Sequence, residues 1–170
     1  MIENKVKSKV TYDTEERKIF ITRIFDAPRE RVWKAWTEPE RIKRWWGPKN
    51  FTSPVCKIDL RVNGRYHFCM RSREGQNFWS TGAYLEIVPF HKIVCSDSFS
   101  DEIGNVVPAS NYGMVGNFPL ELKVTVLFED FDTNSTRLTL RHVGIPDCHI
   151  SEMTSASWNE SFDKLAEIIE

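Results

Sequence analysis

Polar and apolar residues alternate with a period of two through most of the middle of the chain, which predicts a series of half-buried strands. Residues 17 to 25 alternate first. Over residues 51 to 60, Cys56, Ile58 and Leu60 oppose Lys57, Asp59 and Arg61. Asn63-Gly64 supplies a hairpin turn, and residues 65 to 73 then set Tyr66, Phe68 and Met70 against Arg65, His67, Cys69 and Arg71. Glu74-Gly75 turns the chain into residues 77 to 88, whose alternation is read with Trp79, Ala83, Leu85 and Ile87 on one side. Pro89 ends that strand, and residues 91 to 99 follow with Ile93, Cys95 and Phe99. Residues 120 to 129 alternate Leu120, Leu122, Val124, Val126 and Phe128, and a turn at 132 to 135 leads to a last strand bearing Leu138, Leu140 and His142. Short turns between successive strands make the sheet antiparallel.

The period changes to that of a helix in two places. After Asp26-Ala27-Pro28, where Asp26 or Ala27 can cap and Pro28 can begin a helix, Val32, Trp33 and Trp36 share one face. Thr37 and Glu40 have capping-box spacing around Pro39, so a second short helix is expected to carry Ile42, Trp45 and Trp46 until Gly47-Pro48 stops it. The other helix begins near His149, with Asp147 as its cap, and Trp158, Phe162, Leu165 and Ile169 form one apolar stripe. Its first half carries Ser151, Thr154, Ser155 and Ser157 in place of large aliphatic residues. Residues 101 to 119, rich in glycine, proline and small polar residues, read as a long mobile loop. The first sixteen residues are weakly patterned and read as a polar tail or an extra edge strand.

Composition narrows the class without naming a function. A hydrophobic share of 41% and a net charge of −1 over 170 residues fit one ordinary globular domain, assigned to residues 17 to 170, and not a broad electrostatic binder of nucleic acid. No apolar run is long enough to span a membrane and no signal sequence is visible, so the chain reads as cytoplasmic. The four cysteines, at 56, 69, 95 and 148, have neither zinc nor redox spacing and read as reduced thiols. Neither a metal nor a cofactor is expected.

The motifs ITRIFDAPRERVWKAWTEPERIKRWWGP, VNGRYHFCMRSREG, GAYLEIVPFHKIV and SWNESFDKLAEI, in that order, resemble the family of the heat-shock-protein ATPase activator's C-terminal domain, within the START-like, birch-allergen-like superfamily. The resemblance covers about residues 17 to 170. It implies an α+β helix-grip fold: a curved antiparallel sheet of about six or seven strands wrapped around the long C-terminal helix, with two short helices after the first strand. It carries no active site onto this chain, because the superfamily hosts carriers, receptors, cyclases and cochaperones on one scaffold.

A sheet curled around one helix leaves a gap toward the helix's serine-bearing half. Inward parity gives that gap a lining of Tyr66, Phe68, Met70, Trp79, Phe99 and His142, with Thr154 and Trp158 from the helix and Trp45 and Trp46 near one end. Such a lining suits a planar or lipidic ligand of modest polarity. The same periodicity also fits a solid core, and the sequence leaves both open. The expected function is non-enzymatic binding of a small hydrophobic or aromatic molecule, with the 101 to 118 loop as a lid.

Two alternatives stand beside this. Arg29, Arg31, Lys34, Arg41, Lys43 and Arg44 make the paired helices locally basic, a surface on which a stress-response cochaperone could dock a chaperone and stimulate its ATPase. The cochaperones that the family is named for carry a further N-terminal domain, which sixteen polar residues do not replace. The second alternative is a cyclase or hydrolase-like enzyme using pocket acids or His142 in the same cavity. His142, Asp147, Cys148 and His149 are the only clustered candidates for an activated thiol or a metal, and their spacing matches no zinc pattern.

Overall fold

In the computed structural model, which describes residues 8–170, the alternating segments form one eight-stranded antiparallel sheet. The strands are β1 (Ser8–Asp13), β2 (Lys18–Phe25), β3 (Thr52–Ile58), β4 (Arg65–Arg71), β5 (Asn77–Val88), β6 (Lys92–Ser100), β7 (Leu122–Asp132) and β8 (Ser135–Val143). Their order across the sheet is β1-β2-β8-β7-β6-β5-β4-β3. Two short helices, α1 (Arg29–Thr37) and α2 (Pro39–Ile42), follow β2, and a long helix, α3 (Cys148–Ile169), closes the chain. The architecture is α+β and helix-grip-like. The eighth strand, beyond the seven read from alternation, is β1, which pairs along the outer edge of β2. The remainder of the expected tail, residues 1 to 7, lies outside the described residues.

The buried stripe of α3 faces the concave side of the sheet. Phe162, Leu165 and Ile169 are almost fully buried, and Phe162 meets Phe25 of β2 edge to face at 6.0 Å. Asp147 caps the helix, its Oδ1 accepting the Ile150 N–H at 2.9 Å, and Arg31 donates to the Ile169 carbonyl at the other end. A buried arginine ties helix to sheet: Arg23 of β2 pairs with Asp163 of α3 at 2.6 Å.

The short helices differ in detail from the capping signals. Pro28 occupies the capping position and not the first turn, and no side chain caps α1. Thr37 and Glu40 form no capping box: the Thr37 hydroxyl donates back to the Trp33 carbonyl, and Glu40 pairs with Lys43. Helix α2 is a single turn ending at Ile42, so Trp45 and Trp46 sit in the turns that follow it.

The 101 to 119 loop is anchored. Asp101 gathers the Ile103 and Asn105 N–H groups, and the Asn105 side chain, into a turn whose hydrogen bonds hold its carboxyl below the usual range. A short 3-10 turn, Ala109–Tyr112, then brings the Tyr112 hydroxyl between β5 and β6, where it donates to the Ser100 carbonyl and accepts the Trp79 N–H. Arg17 holds the Asn117 carbonyl. The following strand begins at Leu122, leaving Leu120 exposed.

Candidate functional site

A cavity of about 50 Å³ lies between the sheet and α3. Trp36 of α1, Ile42 of α2 and the Trp45-Trp46 turn form one wall; Tyr66, Phe68 and Tyr84 of β4 and β5 form the floor; Ile93, Cys95, Asp97, Val124 and Val126 of β6 and β7 continue it; and Trp158 of α3 closes it. The rings pack on one another, with Trp46 5.5 Å from Trp158 and 4.9 Å from Phe68, and Trp36 stacked over Trp158 at 6.2 Å. Trp45 is wholly buried, its indole N–H bonded to the Ala35 carbonyl at 2.8 Å. Gly47 follows with φ +95°, which a side chain would adopt only under strain. Lys164 of α3 secures that turn by donating to the carbonyls of Gly47, Pro48 and Phe51. The Trp36 indole N–H, also buried, has no hydrogen-bond partner.

One polar seam crosses this apolar site. Tyr66 lies across β5 at Gly82, where an added Cβ would stand 2.6 Å from the tyrosine ring and 1.9 Å from the Ser96 carbonyl oxygen. Only glycine lets the ring pass. The Tyr66 hydroxyl thereby reaches both the Ser96 carbonyl at 2.9 Å and Asp97 Oδ1 at 3.0 Å. Asp97 Oδ2 lies 3.3 Å from His142 Nε2 of β8, close enough to interact electrostatically but too poorly aligned to hydrogen bond, so that Nε2 has no hydrogen-bond partner. His142 Nδ1 in turn accepts the Trp158 indole N–H at 3.2 Å. Burial, with the Asp97 carboxylate beside it, pushes the Tyr66 phenol well above its ordinary range, and the same two causes push the Cys95 thiol up.

A family model described as "Activator of Hsp90 ATPase homolog 1-like protein" matches residues 26–170. The chain belongs to this family. Among solved structures it is similar to a Chromobacterium violaceum protein, at 28% identity over 90% of this chain and 96% of that one, with a TM-score of 0.74. The AHSA1 protein of Silicibacter pomeroyi shares the fold at 21% identity, covering 88% of this chain and 95% of that one, with a TM-score of 0.70. A Staphylococcus epidermidis protein does so at 18% identity, covering 94% and 93%, with a TM-score of 0.75. None of the curated proteins matches.

Within this family member the predicted lining residues divide. Trp45, Trp46, Tyr66, Phe68 and Trp158 stand around the cavity. His142 is one layer behind, reaching it through Asp97 and Trp158. Met70 packs beside Gly47, and Thr154 is half-buried on α3 without lining the space. Phe99 lies farther along the trough, against Tyr112 and Phe118. Trp79 is on the other face of the sheet: it pairs with Cys69 and stacks on His67 at 4.7 Å. The register shift between Tyr84 and Glu86 explains that error, because Ile87 and Tyr84 both face the core and counting back by twos from Ile87 reaches the wrong side. Asp97 and Tyr84 were missed. For Asp97 the signal was present, since it shares the parity of Cys95 and Phe99.

The expected basic surface is largely self-neutralised. Lys34 pairs with Glu30, Arg41 with Glu38, Lys43 with Glu40 and Arg29 with Asp130, while Arg31 serves the end of α3. Arg44 stands exposed. Nor does the candidate thiol cluster assemble: Cys148 is exposed at the start of α3, whereas His142 is buried in the sheet. Among the described residues no group of three or more His, Cys, Asp or Glu is placed to hold a metal, and no helix is long and apolar enough to cross a membrane.

Proposed function

We propose that the chain is a non-enzymatic, cytoplasmic binding protein for a small hydrophobic or aromatic molecule, held between the sheet and α3. The observation that carries this reading is the aromatic cavity itself, a void left within a wall of tryptophan, tyrosine and phenylalanine that core packing would ordinarily fill. Its volume of about 50 Å³ is far below the roughly 300–1,000 Å³ of drug-sized sites, so in the closed form it admits only a compact group. A larger ligand requires the 101 to 121 segment, whose Tyr112 and Phe118 fill the other end of the trough, to withdraw. The unpaired cysteines are compatible with a reducing compartment.

The test combines mass spectrometry of the purified protein under native conditions with a thermal-shift screen of small aromatic compounds, on the wild type and on Val126→Phe, which fills the cavity. A compound that raises the melting temperature of the wild type but not of the variant supports the reading. If no mass co-purifies and no compound shifts the wild type, the proposal fails.

The family's name supports a second reading, a cochaperone that stimulates a chaperone ATPase. Most of the cations invoked for docking are already engaged by neighbouring carboxylates. Chaperone co-purification at low salt, lost on Arg41→Glu with Arg44→Glu, would favour that reading over ligand binding. A cyclase or hydrolase has less support, because His142, the residue invoked for it, stands behind Trp158 and Asp97 and does not line the cavity.

A further inference from the structure

Asp97 is the charged group on the cavity wall, and the hydrogen bonds around it show what it lacks. An indole N–H can only donate, so the contact of 3.2 Å between Trp158 Nε1 and His142 Nδ1 requires a lone pair on Nδ1. His142 therefore carries its ring proton on Nε2 and is neutral. Among the described residues it is the only basic side chain within ion-pair distance of Asp97. The carboxylate is thus stabilised by a phenol and a neutral ring, with no cation beside it. About a quarter of its side chain is exposed (27%), which leaves it open to a ligand.

The neighbouring rings favour positive charge as well. Tyr66 lies 4.8 Å from Phe68, Phe68 4.9 Å from Trp46, and Trp46 5.5 Å from Trp158, so the cavity is walled by several π-systems, and a cation over the face of such a ring is attracted to it. A primary ammonium would need three hydrogen-bond acceptors, and beside the Asp97 carboxylate this wall offers the Tyr84 hydroxyl and the Tyr66 hydroxyl, which is already engaged with Ser96 and Asp97. A quaternary, fully methylated ammonium has no N–H and needs none of them.

We propose that the cavity takes a small quaternary ammonium cation, its charge balanced by Asp97 and its methyl groups packed on Trp46, Phe68 and Trp158. The inference rests on the ligand-binding reading above and narrows it to one chemical class. The size agrees: a space of about 50 Å³ holds a few waters or one compact head group.

The experiment is calorimetric titration of the protein with choline and with its neutral isostere 3,3-dimethylbutan-1-ol, in the wild type and in Asp97→Asn. Choline is expected to bind the wild type at least about tenfold more tightly than the isostere. Asp97→Asn keeps an acceptor for the Tyr66 hydroxyl and is expected to remove most of that preference. Equal affinities overturn the cation inference while leaving the cavity reading intact. Binding of neither compound also overturns it, and the aromatic-compound screen then decides the broader reading on its own. A preference for choline that survives Asp97→Asn overturns it too, because the charge is then acting elsewhere. If the variant does not fold, the indole N–H resonances of the wild type decide: choline must move those of Trp46 and Trp158, and shifts confined to other residues overturn the site.

Discussion

The two ends of the concave trough are built from the same kinds of side chain and reach opposite outcomes. At one end Trp36, Trp46, Phe68 and Trp158 surround a void; at the other, Phe51, Phe78, Tyr112, Phe99 and Phe118 pack each on the next with ring separations of 5.5 to 5.9 Å. The difference is in what fills the space. At the cavity end every wall belongs to a strand, a helix or the stapled Trp45-Trp46 turn, and none of them can approach further. At the packed end two of the rings come from the connection between β6 and β7, a segment that can be placed wherever its anchors allow. Aromatic content alone therefore does not leave a void.

The comparison breaks most severely at the cavity wall. Trp45→Ala removes a wholly buried indole and its hydrogen bond, and is expected to cost about 3–5 kcal/mol in urea unfolding. Gly82→Ala forces a methyl against Tyr66 and the Ser96 carbonyl, with an expected loss of about 1–3 kcal/mol and displacement of Tyr66 visible in near-ultraviolet circular dichroism. At the packed end the effects are smaller. Tyr112→Phe deletes the hydroxyl that joins the loop to Ser100 and Trp79, costing about 1 kcal/mol, and its main signature is faster amide exchange confined to residues 101 to 121.

Two chemical probes sharpen the contrast without altering packing. Burial pushes the Cys56 thiol up to about 12 and raises those of Cys69 and Cys95, so a thiol reagent at neutral pH is expected to modify only the exposed Cys148 in the folded chain. Labelling of Cys95 as fast as Cys148 would mean that the cavity end opens readily. The smallest effect concerns Asp101, whose folded carboxyl titrates below its unfolded value. Its contribution is present above the ordinary carboxylate range and is lost as pH falls through the depressed value. Proteolysis of the loop should therefore rise only in distinctly acid solution.

Much of the fold was legible because burial on one face writes a period of two into each strand, and the stripe of α3 is equally plain. The site was half legible. Tyr66 and Phe68 followed from simple alternation, and Trp158 from helical spacing. Trp79 was misassigned because a bulge changes parity inside β5, and a bulge leaves no mark in a pattern of apolar residues. Tyr84 was lost to the same slip. The meaning of Asp97 depends on a neutral histidine two strands away and an indole on the last helix, a relation that appears only when four elements meet. Capping signals misled because the Thr37 hydroxyl donates to the Trp33 carbonyl in its own helix instead of accepting the Glu40 N–H.

The attachment of Lys164 to the carbonyls of Gly47, Pro48 and Phe51 has a bearing on biogenesis. This lysine and Trp158 are synthesised after every strand of the sheet, so a nascent chain can pair its strands on the ribosome while the pocket is still missing its roof and its clasp. The cavity therefore closes only once α3 has emerged, and a chain stalled before that point would display the tryptophans as an adhesive surface for quality-control factors to seize.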